Sequence, residues 1–183
     1  MNAGREYEQE RLAELIMFVA NRVLGDPMFG AVKVNKALFY SDFEAYRRTG
    51  SSITGAVYQH LDQGPCAHQF LPALRSLGDD LKEVQRETPT GTRREFLPLR
   101  DSRVELFSGP EIAIVDEIVE WLRPLTAGQT SALSHETIAW RLTEDRDEVP
   151  YGAAVLSSDT PSEDDRVWLK EVARRGGLDA PTR

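Results

Sequence analysis

The apolar residues of this chain fall into short blocks of helical period, closed one after another by glycine or proline. Leu12, Leu15, Ile16, Val19 and Val23 recur at three- and four-residue spacing. That spacing predicts one helical stripe, with Glu8, Glu10, Arg11 and Glu14 mostly outside it. Gly25-Asp26-Pro27 closes the block. A second helix is predicted over about Val34–Arg48, with Leu38, Phe39, Phe43 and Tyr46 as an aromatic inner face. Gly50 stands where a C-terminal cap belongs, and Arg47 and Arg48 complement the negative end of the helix dipole. A third block runs over about Ala67–Leu77, where Phe70, Leu71, Leu74 and Leu77 keep the period and Pro72 is tolerable only in the first turn. Ser108-Gly109-Pro110-Glu111 has the form of a capping box with proline early in the helix. It opens the most regular amphipathic stretch, Ile112, Val115, Ile118, Val119 and Leu122, which Pro124 ends. Thr126–Leu142 divides into two short helical pieces, with Ser134 placed to cap the second. Thr160-Pro161-Ser162-Glu163 is a further capping box. It opens a final helix to about Arg174 with Val167, Trp168 and Val172 as its apolar positions, ended by Gly176-Gly177.

Two stretches lose the helical period. In Ser51–His60, Ile53, Gly55, Val57 and Gln59 alternate with Thr54, Ala56 and Tyr58, which predicts a short strand or an extended segment. From Leu81 to Leu106, Val84, Phe96, Leu97, Leu99, Val104 and Leu106 are set among turn formers such as Thr88-Pro89-Thr90-Gly91. This reads as a β-hairpin or irregular arm with a mobile tip. The expected fold is α+β and predominantly α: a compact helical domain with a small β-hairpin or short sheet. Residues 1–175 are expected to form a single domain, and 176–183 a disordered C-terminal tail. A chain of 183 residues can bury roughly 70% of its unfolded surface, so it needs no covalent staple.

Composition narrows the function classes. The single cysteine, Cys66, excludes an internal disulfide and fits a reducing compartment. The segment Met1–Gln9 has no apolar signal core. No stretch approaches the ~20 apolar residues of a membrane span. The expected setting is cytoplasmic. A net charge of -8 repels phosphates, and there is no helix-turn-helix with a basic recognition helix, so direct nucleic-acid binding is disfavoured. An acidic surface suits a basic protein partner.

Chemistry-bearing residues are present without a catalytic pattern. His60, Asp62, Cys66 and His68 are all metal-ligand types within nine positions, yet their spacing matches no familiar zinc pattern. The competing reading is a polar loop with a small buried cysteine, and no metal is expected. Cys66 and His68, two residues apart, would face different sides of a helix. There is no Gly-x-Ser-x-Gly elbow and no phosphate-binding loop. Glu163-Asp164-Asp165 lies in a first helical turn, where negative charge is stabilising. No catalytic or cofactor-binding residue is expected, although a small polar pocket around His60, Cys66 and His68 remains the enzyme alternative. His135, five residues before Trp140, reads first as a hydrogen-bonded structural residue. Trp140 is either core or an interface anchor.

Three separated motifs set a direction. They are Asn35-Lys36-Ala37-Leu38-Phe39-Tyr40-Ser41-Asp42, then Gln63-Gly64-Pro65-Cys66, then Leu133-Ser134-His135-Glu136-Thr137-Ile138-Ala139-Trp140. Their order resembles the Panacea antitoxin domain, also called SocA-like, over roughly Leu12–Leu142. That family shows a Lys-Leu-Leu-Tyr-type helix, a glycine before an extended stretch, a Gly-Pro turn and a late Leu-Ser…His…Trp segment. Gln63 stands here where a histidine often precedes Gly-Pro, and no proline precedes Trp140. The resemblance implies an antitoxin of a bacterial or phage toxin-antitoxin system that neutralises a partner toxin by direct protein-protein binding. The alternative it implies is a proteolytic adaptor delivering the toxin to a cytoplasmic protease. Lys36, Tyr40, Gly64, Pro65, His135 and Trp140 are its signature or toxin-binding candidates. Their competing role is to hold the scaffold. Candidate contact segments are the helix Asn35–Arg48, the turn Gln59–His68 and the arm near Arg93–Phe96. The toxin's identity, the face that binds it and the oligomeric state are left open.

Overall fold

The structure, a computed structural model, describes residues 4–88 and 91–156. The final helix expected from Thr160, the tail at 176–183 and the hairpin tip at Pro89-Thr90 lie outside the described residues. Among the described residues, six α-helices and small antiparallel sheets make an α+β fold that is mainly α.

Helix α1 (Gln9–Arg22) and helix α2 (Ala31–Thr49) form the centre. The stripe expected on α1 is wider than its spacing suggested, because every residue from Arg11 to Ala20 is buried. Arg11 and Glu14 are therefore inside rather than on a solvated face. The stretch 100–106 supplies the partners of Glu14 and one of those of Arg11, and Ile53 and Glu111 supply the rest. Glu14, 1% exposed, accepts from Arg100 Nη2 at 2.7 Å and from the Arg103 amide at 2.8 Å. Arg11 donates to Ile53 O at 2.8 Å, to Leu106 O and to Glu111 Oε1 at 2.8 Å. Charges so deep persist only when paired and hydrogen-bonded.

Helix α2 begins three residues earlier than its apolar pattern and ends at Gly50, whose φ of +75° makes the left-handed cap. Its face Leu38, Phe39, Phe43 and Tyr46 is buried as expected. Of the alternating stretch after it, only β1 (Tyr58–Gln59) is a strand. It pairs antiparallel with β2 (Cys66–Ala67) on one side and with β5 (Glu148–Val149) on the other. The residues before β1 are held by Asp42. This fully buried carboxylate accepts from the Ile53 amide at 2.8 Å, the Thr54 amide at 2.9 Å and the Tyr58 hydroxyl at 2.8 Å. Extended backbone with a side-chain acceptor in place of a neighbouring strand accounts for its shortness as a strand.

Helix α3 (Phe70–Ser76) starts after β2, so Pro72 falls in its first turn, where proline is tolerated. Strands β3 (Leu81–Thr88) and β4 (Gly91–Pro98) are the expected hairpin, in register from Leu81 opposite Pro98 to Thr88 opposite Gly91. Leu81 and Phe96 root it in the core, while its outer half is exposed. Helix α4 (Gly109–Leu122) opens on the expected capping box. Ser108 Oγ accepts from the Glu111 amide at 3.4 Å, and Glu111 Oε2 from the Ser108 amide at 2.7 Å. Two short helices follow, α5 (Ala127–His135) and α6 (Ile138–Arg141). The cap of α6 is Thr137, whose hydroxyl accepts from the Trp140 amide at 3.3 Å. Ser134 does not cap it, because α5 runs on past that residue and buries it completely. No helix among the described residues is long and apolar enough to cross a membrane.

Candidate functional site

Lys36 lies on the buried face of α2, 2% exposed. Its ammonium donates to Pro65 O at 3.0 Å, under the turn that joins β1 to β2. That turn closes because Gly64 adopts a φ of +91°, and a Cβ there would lie 2.6 Å from Lys36 Nζ and in collision with Ser134 Oγ. Helix α2, the Gly64-Pro65 turn and helix α5 thus meet around one amine. Burial pulls the Lys36 ammonium down to about 8, and the Cys66 thiol beside it pulls the other way. Cys66 donates its thiol to Asn35 Oδ1 at 3.0 Å, and burial pushes that thiol above its ordinary value. The amine faces a carbonyl, an acceptor that fixes the turn's position. A second buried lysine shows the same economy of use: Lys33 donates to Arg123 O at 3.0 Å and Leu125 O at 2.8 Å, at the carboxyl end of α4.

One residue beyond Ser134, a ring stack joins three segments. Trp140 lies between His60 and His135, with centroid distances of 3.2 and 4.3 Å and interplanar angles of 21° and 18°. His60 Nδ1 is 3.0 Å from Thr143 Oγ1, and burial holds its imidazole below the ordinary value against the pull of Asp145 and Asp147. His135 Nε2 is buried with no hydrogen-bond partner among the described residues. The structure therefore brings Lys36, Gly64 and Pro65 together, and sets His135 and Trp140 next to them. Tyr40 is apart, one turn further along α2, edge-on to Trp121 at 5.0 Å.

The residues with metal-ligand chemistry do not converge. His60 is in the ring stack, Cys66 faces Asn35, and His68 is exposed beyond β2. Among the described residues, no three histidine, cysteine, aspartate or glutamate side chains stand as a group that could hold a metal ion.

Outside the Gly64 turn lies a cleft of about 500 Å³. Its walls are Asn35 and Lys36 of α2, the turn residues Leu61–Gly64, Arg94 on the hairpin, and Asp145-Arg146. The first turns of α2, the turn and the arm, three segments separated in sequence, converge there. The cleft is polar and carries both charge signs. Arg94 is held by Glu83 at 2.7 Å, whereas Arg146, with its side chain 84% exposed and φ of +66°, projects beside Asp145. Leu61 is an exposed apolar residue in the same wall.

Sequence reasoning missed three buried ionic groups: Asp42, which holds the residues before β1, and Glu14 and Arg11, which tie α1 to distant parts of the chain. Asp42 carried a signal, since it interrupts an otherwise apolar face between Phe39 and Phe43. Glu14 and Arg11 carried none, because their partners are more than 80 residues away for Glu14 and as far as Glu111 for Arg11.

Comparison with known proteins gives one family. The model described as antitoxin SocA-like, Panacea domain, matches residues 34–141, more than half of the chain. No curated protein and no solved structure matches it.

Proposed function

The chain belongs to the SocA-like antitoxin family, the Panacea domain, and from that premise we propose that it neutralises a protein toxin by binding it directly, without catalysis. The family match over the segment that contains Lys36, Gly64, Pro65, His135 and Trp140 is the observation that carries this reading. We assign these residues a scaffold role: they bring the α2 start, the Gly64 turn and the hairpin arm to one cleft, and the cleft is the toxin-binding face. An exposed leucine ringed by charges of both signs suits a partner that inserts an apolar anchor and closes a polar rim. The setting is the cytoplasm, and masking of the toxin is the mode of action.

The test is co-expression with the toxic product of an adjacent gene, followed by titration of the two purified proteins. Growth should be rescued. Leu61→Asp and Arg146→Glu should weaken binding by about ten-fold or more while leaving the melting temperature unchanged, as expected for central interface residues that carry no core. Failure of rescue with both proteins soluble would count against the antitoxin reading. Rescue with a fall in toxin level that needs a protease would replace masking by delivery for degradation.

A further inference from the structure

Among the described residues, the buried ionic side chains are not equally well partnered. Arg11 and Glu14 meet opposite charges, and Asp42 is ringed by amide and hydroxyl donors. The Lys33 ammonium takes two carbonyls. Lys36, 2% exposed, has the carbonyl of Pro65 alone and no carboxylate partner among the described residues. An ammonium carries three N–H donors, so two are left over. A buried cation with no opposite charge is the arrangement that burial penalises most.

Lys36 borders the cleft outside the Gly64 turn, and so do Ala31 and Val32 at the start of α2. That helix opens on Gly30 with no side-chain cap and no acidic residue in its first turn. Its first amides and the positive end of its dipole therefore meet the same cleft as the spare donors of Lys36. Arg94 and Arg146 stand on other walls, each with a carboxylate already, Glu83 at 2.7 Å and Asp145 at 3.6 Å. We propose that the cleft takes a carboxylate, bound by the Lys36 ammonium and the start of α2. The source rests on the antitoxin reading: one aspartate or glutamate of the toxin's contact surface. A basic toxin with an acid at its centre matches a chain of net charge -8 whose cleft holds an unpaired ammonium. Lys36 then recognises the partner as well as holding the turn.

The amine and the two arginines are told apart by pH. Arginines stay charged at every working pH, whereas burial brings Lys36 down to about 8. The Cys66 thiol beside it is pushed above its ordinary value and stays protonated through that range. Asp62 and Asp145 are the like charges that a bound carboxylate must avoid, and His60 and His135 lie in the ring stack, outside the cleft walls. A carboxylate on Lys36 is held while the amine is protonated. Its affinity should fall by about ten-fold from about pH 7 to about pH 9, as the amine loses its proton.

Titration of the full chain with sodium acetate, read by NMR against sodium chloride at equal ionic strength, tests this without a toxin. Acetate should shift the Lys36 Cε signal and the Val32 and Gly64 amides, with the ten-fold pH dependence. Lys36→Met, its fold checked by circular dichroism, should lose these shifts. No shift in the wild-type chain at about 100 mM acetate would overturn the proposal. Equal affinity at both pH values would overturn it in favour of the arginines, and equal shifts with chloride would overturn the preference for a carboxylate. With the adjacent gene's toxin, each of its acids is then changed to the amide. One such change should weaken binding about ten-fold to the wild-type chain and barely to Lys36→Met. Acetate binding with no acid so coupled would overturn the toxin as the source, in favour of a free carboxylate. A toxin that fails to bind while acetate binds would sink the antitoxin reading and keep the site, so the two failures are distinct.

Discussion

Gly64 carries more of the site than any neighbour with a functional side chain. Its φ of +91° is a conformation that L side chains rarely adopt, and the space a Cβ would need is taken by Lys36 Nζ and Ser134 Oγ. Backbone strain and the intrusion add, so Gly64→Ala should lower stability by about 2–4 kcal/mol in urea denaturation. An unchanged midpoint would mean that the turn rearranges freely. Lys36 under that turn links stability to pH. Its folded value near 8 lies below the ordinary 10.5 because the amine is buried. Between those two values the unfolded chain binds a proton that the folded chain has released, so this group's contribution to stability rises with pH across that window. Below about 8 the folded state keeps a desolvated ammonium, and the penalty is largest. Lys36→Met removes the linkage. The wild-type chain should therefore gain stability relative to Lys36→Met as pH goes from about 7.5 to about 10, as denaturation at several pH values would measure. A difference that stays flat would show the amine to be solvated in the native state.

Helices α5 and α6 show how short elements hold the site. Neither is long enough to persist on its own. Thr126 and Gln129 make a capping box at the start of α5, and Thr137 restarts the chain as α6 two residues after His135. That joint puts Ser134 against Gly64 and swings Trp140 between His60 and His135. Thr137→Ala should cost about 1 kcal/mol, the usual worth of an N-cap. It should also loosen the ring stack, seen as a shift in Trp140 fluorescence or in the His60 and His135 ring signals. An effect on stability without one on the rings would separate the cap from the stack. The cap residue itself was misassigned from sequence, with Ser134 in its place. Both are hydroxyl residues ahead of Ile138-Ala139-Trp140, but Thr137 stands directly before that apolar run, while Ser134 lies within α5 and is buried. The hairpin and the α4 capping box were legible because their signals are local: turn formers flanked by β-forming residues, and a serine three residues before a glutamate.

Taken whole, the molecule is acidic at its surface and ionic in several places at its core. Arg11, Glu14, Lys33, Lys36 and Asp42 are all buried. Each is answered by a backbone or side-chain partner, most of them distant in the chain. The α+β, mainly helical fold, the hairpin and the family could be read from the order of residues. Periodicity, caps, turns and spaced motifs are short-range patterns, written in neighbouring residues and imposed by backbone sterics and local hydrogen bonding. The convergence of α2, the Gly64 turn, the arm and Arg146 on one cleft, the separation of Tyr40 from Lys36, and the dispersal of His60, Cys66 and His68 could not be read that way. Those arrangements depend on which faces of the elements pack together, and packing is set by the joint fit of the whole core rather than by any one stretch of it.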